Sequence, residues 1–168
     1  MGSAVAMLAA IERPDVVEGL VLVSAPAPIA PDSVGSLVAG SRRDYPSTIA
    51  TFVDAWLPEP DSEHYARLGR HIMLKADPEA AARLFEACYG VTVDPSLIAV
   101  PTLLIHGSHD RVVPAASAEL LAATIPDAVL HVLDGIGHTP TLTAAPAVVS
   151  IIEETFSARA ASLTRNPR

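Results

Sequence analysis

Two short segments hold the side chains best suited to proton transfer. One is Gly107-Ser108-His109-Asp110-Arg111-Val112-Val113-Pro114, and the other is Gly135-Ile136-Gly137-His138. A carboxylate set against an imidazole accepts its N–H, fixes the tautomer and stabilises the imidazolium formed during proton transfer. Asp110 and His138 would then form the acid–base half of a nucleophilic triad. Each residue also has a plainer reading. A loop aspartate after a strand commonly caps a turn or helix, and a glycine-flanked histidine is often an ordinary loop residue. The pair is more specific than either member, because each lies in a glycine-bounded turn after consecutive apolar runs. His106 and His109 flank Asp110, but no further carboxylate or histidine cluster completes a ligand set. Turn and packing roles are expected there, with no metal and no cofactor. His64 and His71, two turns apart on one predicted helix, share a face expected to be solvated.

The elements around these turns must place them side by side. Leu20-Val21-Leu22-Val23, residues 102–105 and residues 129–133 are short continuous apolar runs of the kind buried on both faces of a parallel sheet. Residues 115–125 carry a helical pattern that starts after Pro114 and stops before Pro126. Strand, helix and strand make a βαβ unit with a right-handed crossover. Both turns then fall on the C-terminal edge of the sheet, where open α/β sheets bind ligands. Residues 1–11 predict a buried helix with Val5, Leu8, Ala9 and Ile11 toward the sheet. No basic segment precedes it, so it does not read as a signal peptide. Residues 147–158 predict a last helix, with Val148, Ile151, Ile152 and Phe156 on one side, and 160–168 a frayed tail.

The stretch from about residue 26 to 99 is too long for a loop. It shows helical patterns over 46–57, 62–74 and 78–89 and is punctuated by prolines. It reads as a helical insertion between two strands of one sheet. Trp56, Tyr65, Phe85 and Tyr89 are candidates to line an apolar pocket beneath it, and ordinary packing within the insertion explains them equally well.

With these motifs in place, the chain resembles the C-terminal part of an α/β-hydrolase-fold enzyme. Gly107, Asp110, Val113 and Pro114 resemble the family's acid loop, and Gly137-His138 its histidine loop. Leu22-Val23-Ser24-Ala25-Pro26 resembles the strand leading into its helical cap. The resemblance implies an α/β fold with parallel strands and flanking helices. It implies a hydrolase core over residues 1–25 and 98–159 and a cap or lid over 26–97. In the family the nucleophile sits in a G-x-S-x-G elbow. Gly2 matches the elbow's final glycine, so the nucleophile is expected just before Met1, and the Met1 backbone N–H at the oxyanion position. Ser3 lacks the flanking glycines and preceding strand that a nucleophile needs there. Ser24 lies where some members carry the acid, a role that serine cannot fill and that favours Asp110.

Composition narrows the classes further. Of 168 residues, 50% are apolar and 18% charged, against about 25% charged in a typical domain, so disorder is excluded. A net charge of −8 with no basic run argues against nucleic-acid binding. One cysteine, Cys88, excludes an internal disulfide framework and reads as a small buried hydrophobe. No apolar run is long enough to span a membrane, and a cytoplasmic location is expected. The leading expectation is a cofactor-independent hydrolase acting on ester-type bonds of small molecules. By the same resemblance, a dehalogenase-like, amide-cleaving or carbon–carbon-cleaving member is an alternative. A catalytically inactive truncated fragment or a non-enzymatic binding module is the competing class, and a small independent α/β domain a third. The fragment reading expects an unpaired apolar sheet edge and self-association through it.

Overall fold

The computed structural model describes residues 2–27 and 32–165; the side chains of 32–34, 88–90 and 158–165 also lie outside the description. Met1 and the side chains of Cys88 and Tyr89 are therefore outside the described residues.

Among the described residues one parallel sheet is formed by β1 (Leu20–Val23), β2 (Thr102–Gly107) and β3 (Ala128–Leu133), in that order. Leu20 pairs with Thr102 and Val23 with Ile105; Thr102 pairs with Ala128 and Gly107 with Leu133. The central strand β2 is buried at every position. Its alternation divides the core in two. Leu104 joins Leu20, Leu22, Met7, Ala10, Leu121 and Ile125 on one face. Leu103 and Ile105 join Val148, Ile151, Ile152 and Phe156 on the other. The first face is covered by α1 (Gly2–Glu12) and α6 (Ala115–Thr124), the second by α8 (Ala145–Arg165). Residues with period two thus feed two helical layers, as a strand buried on both sides requires.

Two expectations need correction. In α1 the buried residues are Met7 and Ala10, with Ala4, Ala6, Leu8 and Ile11 packed beside them, whereas Val5 is 61% exposed and Ala9 also faces outward. Alanine on nearly every side gives this helix little amphipathic signal, so its sequence does not choose the face. The last helix also continues through Arg165, past the point where a tail is expected to begin.

The insertion holds α2 (Asp32–Arg43), α3 (Tyr45–Trp56), α4 (Glu63–Met73) and α5 (Pro78–Gly90). Asp44 and Asp77 cap α3 and α5 by accepting the N–H groups of Ser47 and Ala80, and a proline follows each cap at the first turn. Tyr45, Ile49, Val53, Leu57, Ala66 and Ala81 form a separate core. The helix α2 has no counterpart among the predicted patterns. Glycine and serine make it a weak helix by propensity, and it packs along α5, with Arg42 bonding Glu79 and Glu86. No helix among the described residues is long and apolar enough to cross a membrane.

Candidate active site

The acid and histidine loops leave the C-terminal ends of β2 and β3. Gly107 ends β2, and a Cβ there would overlap the carbonyl oxygens of Ile136 and Gly137. Only glycine lets the two loops come this close. Backbone bonds then fasten them: Ser108 N–H donates to Leu133 O and His109 N–H to Ile136 O, both at 2.9 Å. The Ser108 hydroxyl donates to Asp134 Oδ1 at 3.1 Å and accepts from Gly135 N–H at 2.8 Å.

This frame seats Asp110, whose side chain is fully buried. Its Oδ1 accepts the N–H groups of Val112 and Val113 at 2.8 Å each. Its Oδ2 accepts Nδ1–H of His138 at 2.8 Å. Burial alone would raise the carboxyl pKa. The His138 hydrogen bond, the Val113 N–H, the charge of His138 and the Val112 N–H together outweigh it and hold Asp110 below its usual value. With Nδ1–H engaged, His138 carries its free lone pair on Nε2, which has no hydrogen-bond partner among the described residues. The ring is 21% exposed, so that nitrogen remains reachable.

A second imidazole lies below the carboxylate. His106, fully buried on β2, donates Nε2–H to Val113 O at 2.9 Å, and the same nitrogen is 3.4 Å from Asp110 Oδ2. Its Nδ1 is buried without a partner. No cluster of three or more potential metal ligands occurs among the described residues.

The insertion reaches into this site. His138 N–H donates to Trp56 O at 3.1 Å, and Gly137 N–H donates to Glu59 Oε1 at 2.8 Å. Sequence reasoning missed Glu59, and for His106 it expected a turn or packing role without its bond to Val113. A carboxylate between two prolines has no local signature, and its partners lie 78 and 84 residues away. Ser24, at the end of β1, has a left-handed φ of 49° and a buried hydroxyl without a partner. Trp56, Tyr65 and Phe85 pack against the core of the insertion. A cleft of about 430 Å³ lies between α2, α3 and the acid loop, walled by Leu37, Phe52, Arg43, Arg111 and Val112 among others. Tyr89 and Met1 lie outside the described residues.

Comparison with known proteins identifies the family and the fold. Residues 1–142 match the family model for serine aminopeptidase, S33. A pimeloyl-[acyl-carrier protein] methyl ester esterase from Aromatoleum aromaticum is 32% identical over 64% of this chain and 38% of its own length. A protein of the same name from Nitrosomonas europaea is 27% identical over 84% of this chain and 63% of its own. The chain thus spans about two fifths to three fifths of these relatives. The solved enol-lactonase from Burkholderia xenovorans LB400 superposes with a TM-score of 0.83, at 22% identity, over 94% of this chain and 63% of that one. The match over most of its length shows that this chain belongs to the serine aminopeptidase, S33, family of α/β-hydrolases.

Proposed function

We propose that this chain carries the acid–base half of an active site that hydrolyses ester-type bonds in small molecules. The observation that supports it is the 2.8 Å contact between Asp110 Oδ2 and His138 Nδ1, with Oδ1 pinned by two amides and Nε2 left free. By the family resemblance, a nucleophile expected just before Met1, not Ser3, attacks the acyl carbonyl, and His138 Nε2 takes its proton. By the same resemblance, the position of Met1, outside the described residues, is the one proposed to help hold the oxyanion. His138 then returns the proton to the leaving alcohol, and water releases the acyl group by the same route. Asp110 keeps the proton on Nδ1 throughout and stabilises the imidazolium. The mechanism uses protein groups alone. Residues 1–25 and 98–159 act as the catalytic core, residues 26–97 as a cap, and the protein works in the cytoplasm. The relatives named as esterases and a lactonase support ester-type chemistry.

The cleft beside the acid loop is proposed to receive part of the substrate. Arg13, Arg42, Arg70 and Arg83 each hold a carboxylate, whereas Arg43 and Arg111 hold none among the described residues and face this cleft. Asp44, also in the wall, is engaged as the cap of α3. Esters bearing a further anionic group suit such a wall. The outer edge of β1 is unpaired among the described residues, and self-association through it is part of the same reading.

The test is hydrolysis of a series of p-nitrophenyl esters by the polypeptide that carries this chain. Turnover lost in His138→Ala is the expected result. Turnover indifferent to that substitution sinks the reading, and no turnover with any activated ester favours a non-enzymatic binding module.

A further inference from the structure

We propose that Glu59 is a positioning residue for His138, through which the inserted helices set the histidine loop. The inference rests on the acid–base reading of Asp110 and His138 given above. Glu59 lies in the turn after α3, and that turn is fixed. Ser62, buried, donates its hydroxyl to Glu59 O at 2.6 Å and its N–H to the same oxygen at 3.1 Å. Leu57, at the start of the turn, is buried in the core of the insertion. The carboxylate is therefore borne on a rigid support.

Its Oε1 accepts two hydrogen bonds, from Gly137 N–H and from the Thr143 hydroxyl, both at 2.8 Å. Gly137 immediately precedes His138. Thr143 ends α7 (Pro140–Thr143), which begins just after it. One oxygen thus grips both flanks of the histidine. The neighbouring residues grip the same place. Trp56 O accepts the His138 N–H, and Pro58 lies so close to Gly137 that a Cβ there would overlap its ring. Glu59 Oε2 is buried without a partner. The side chain is thus held where it sits by the fixed turn on one side and by the histidine loop on the other.

The readout is the Nδ1–H proton of His138, observed by NMR as a low-field imidazole resonance, together with its exchange with solvent. In Glu59→Ala this resonance is expected to broaden or vanish, with exchange at least ten-fold faster. Glu59→Gln, which keeps an acceptor for both hydrogen bonds, should stay within two-fold of the unsubstituted chain. Arg42→Gln breaks ion pairs of the insertion away from the loop. It should lower Tm and leave the resonance in place. Exchange in Glu59→Ala within two-fold of normal overturns the inference, as does an equal effect from Arg42→Gln. If Glu59→Ala fails to fold, Thr143→Val removes one of the two bonds, and unchanged exchange at Nδ1–H and at the Gly137 amide then overturns it. Absence of the low-field resonance in the unsubstituted chain overturns the Asp110–His138 pairing itself and this inference with it, whereas its presence with indifference to Glu59 overturns this inference alone.

Discussion

Asp110 Oδ2 has two imidazoles within reach, and they differ in nearly everything except chemistry. His138 approaches at 2.8 Å on a loop, partly exposed, with Nε2 free. His106 approaches at 3.4 Å from within the sheet, fully buried, with Nε2 spent on Val113 O. The first has a lone pair to offer a substrate. The second has only a structural use, because its one donor holds the carbonyl of a residue whose N–H holds Asp110. Reactivity near a shared carboxylate is thus decided by which ring nitrogen remains unoccupied and whether solvent can reach it.

The contrast predicts a graded set of losses. His138→Ala should cost activity on the order of 10⁴-fold or more, since removing one member of a cooperative triad forfeits most of its effect. Asp110→Asn is expected to cost about 10⁴-fold in kcat with little change in fold. The asparagine oxygen still accepts the Val112 and Val113 N–H groups, while its amide turns an N–H toward His138 and forces the other tautomer. Measuring kcat and KM separately checks this: a change mainly in KM would mean that Asp110 orients substrate and not the imidazole.

The next two changes act on structure. Gly107→Ala puts a methyl group against two carbonyl oxygens and must part the loops. It should destabilise the fold by about 3 kcal/mol or more, read from denaturant midpoints. His106→Leu stays close to histidine in size and removes the donor to the Val113 carbonyl. A loss of about 1–3 kcal/mol in stability is expected, with activity per folded molecule changed only a few-fold. A large fall in kcat without a fall in stability would erase the distinction between the two histidines.

The two histidines at Asp110 are unequally legible in the sequence. Asp110 and His138 stand out because each follows an apolar run within a glycine-bounded turn, and both features are local. The strand Leu20–Val23 is legible for the same reason, its four apolar residues lying between turn residues. His106 is indistinguishable from any histidine at a strand end until the fold brings Val113 back over it. Glu59 is less visible still, because its partners come from the far end of the chain. Face assignment fails in α1, where small residues on all sides make burial a matter of what packs nearby. The helix α2 escapes because its polar, glycine-containing sequence is helical only against α5.

The smallest expected effect lies in the acid limb of stability, and it isolates the carboxylate that both histidines face. Asp110 is held below its usual pKa of 3.8 in the folded chain. Between that lower value and about pH 4 the unfolded chain binds a proton that the folded chain does not. Stability therefore rises with pH across this window, is fully present above it, and drains away as pH falls through the folded value. Glu79, held down to about 2 by Arg42 and Arg83, acts in the same direction, though it is 46% exposed and solvent weakens its share. Glu79 is common to both proteins when the unsubstituted chain is compared with Asp110→Asn, so it cancels and their difference reports Asp110 with the groups it contacts. Unfolding measured from pH 6 down to pH 2 should give a shallower acid limb for Asp110→Asn. Identical limbs would mean that the two amides and His138 do not together favour the charged carboxylate, and the tie between Asp110 and His138 would lose its electrostatic basis.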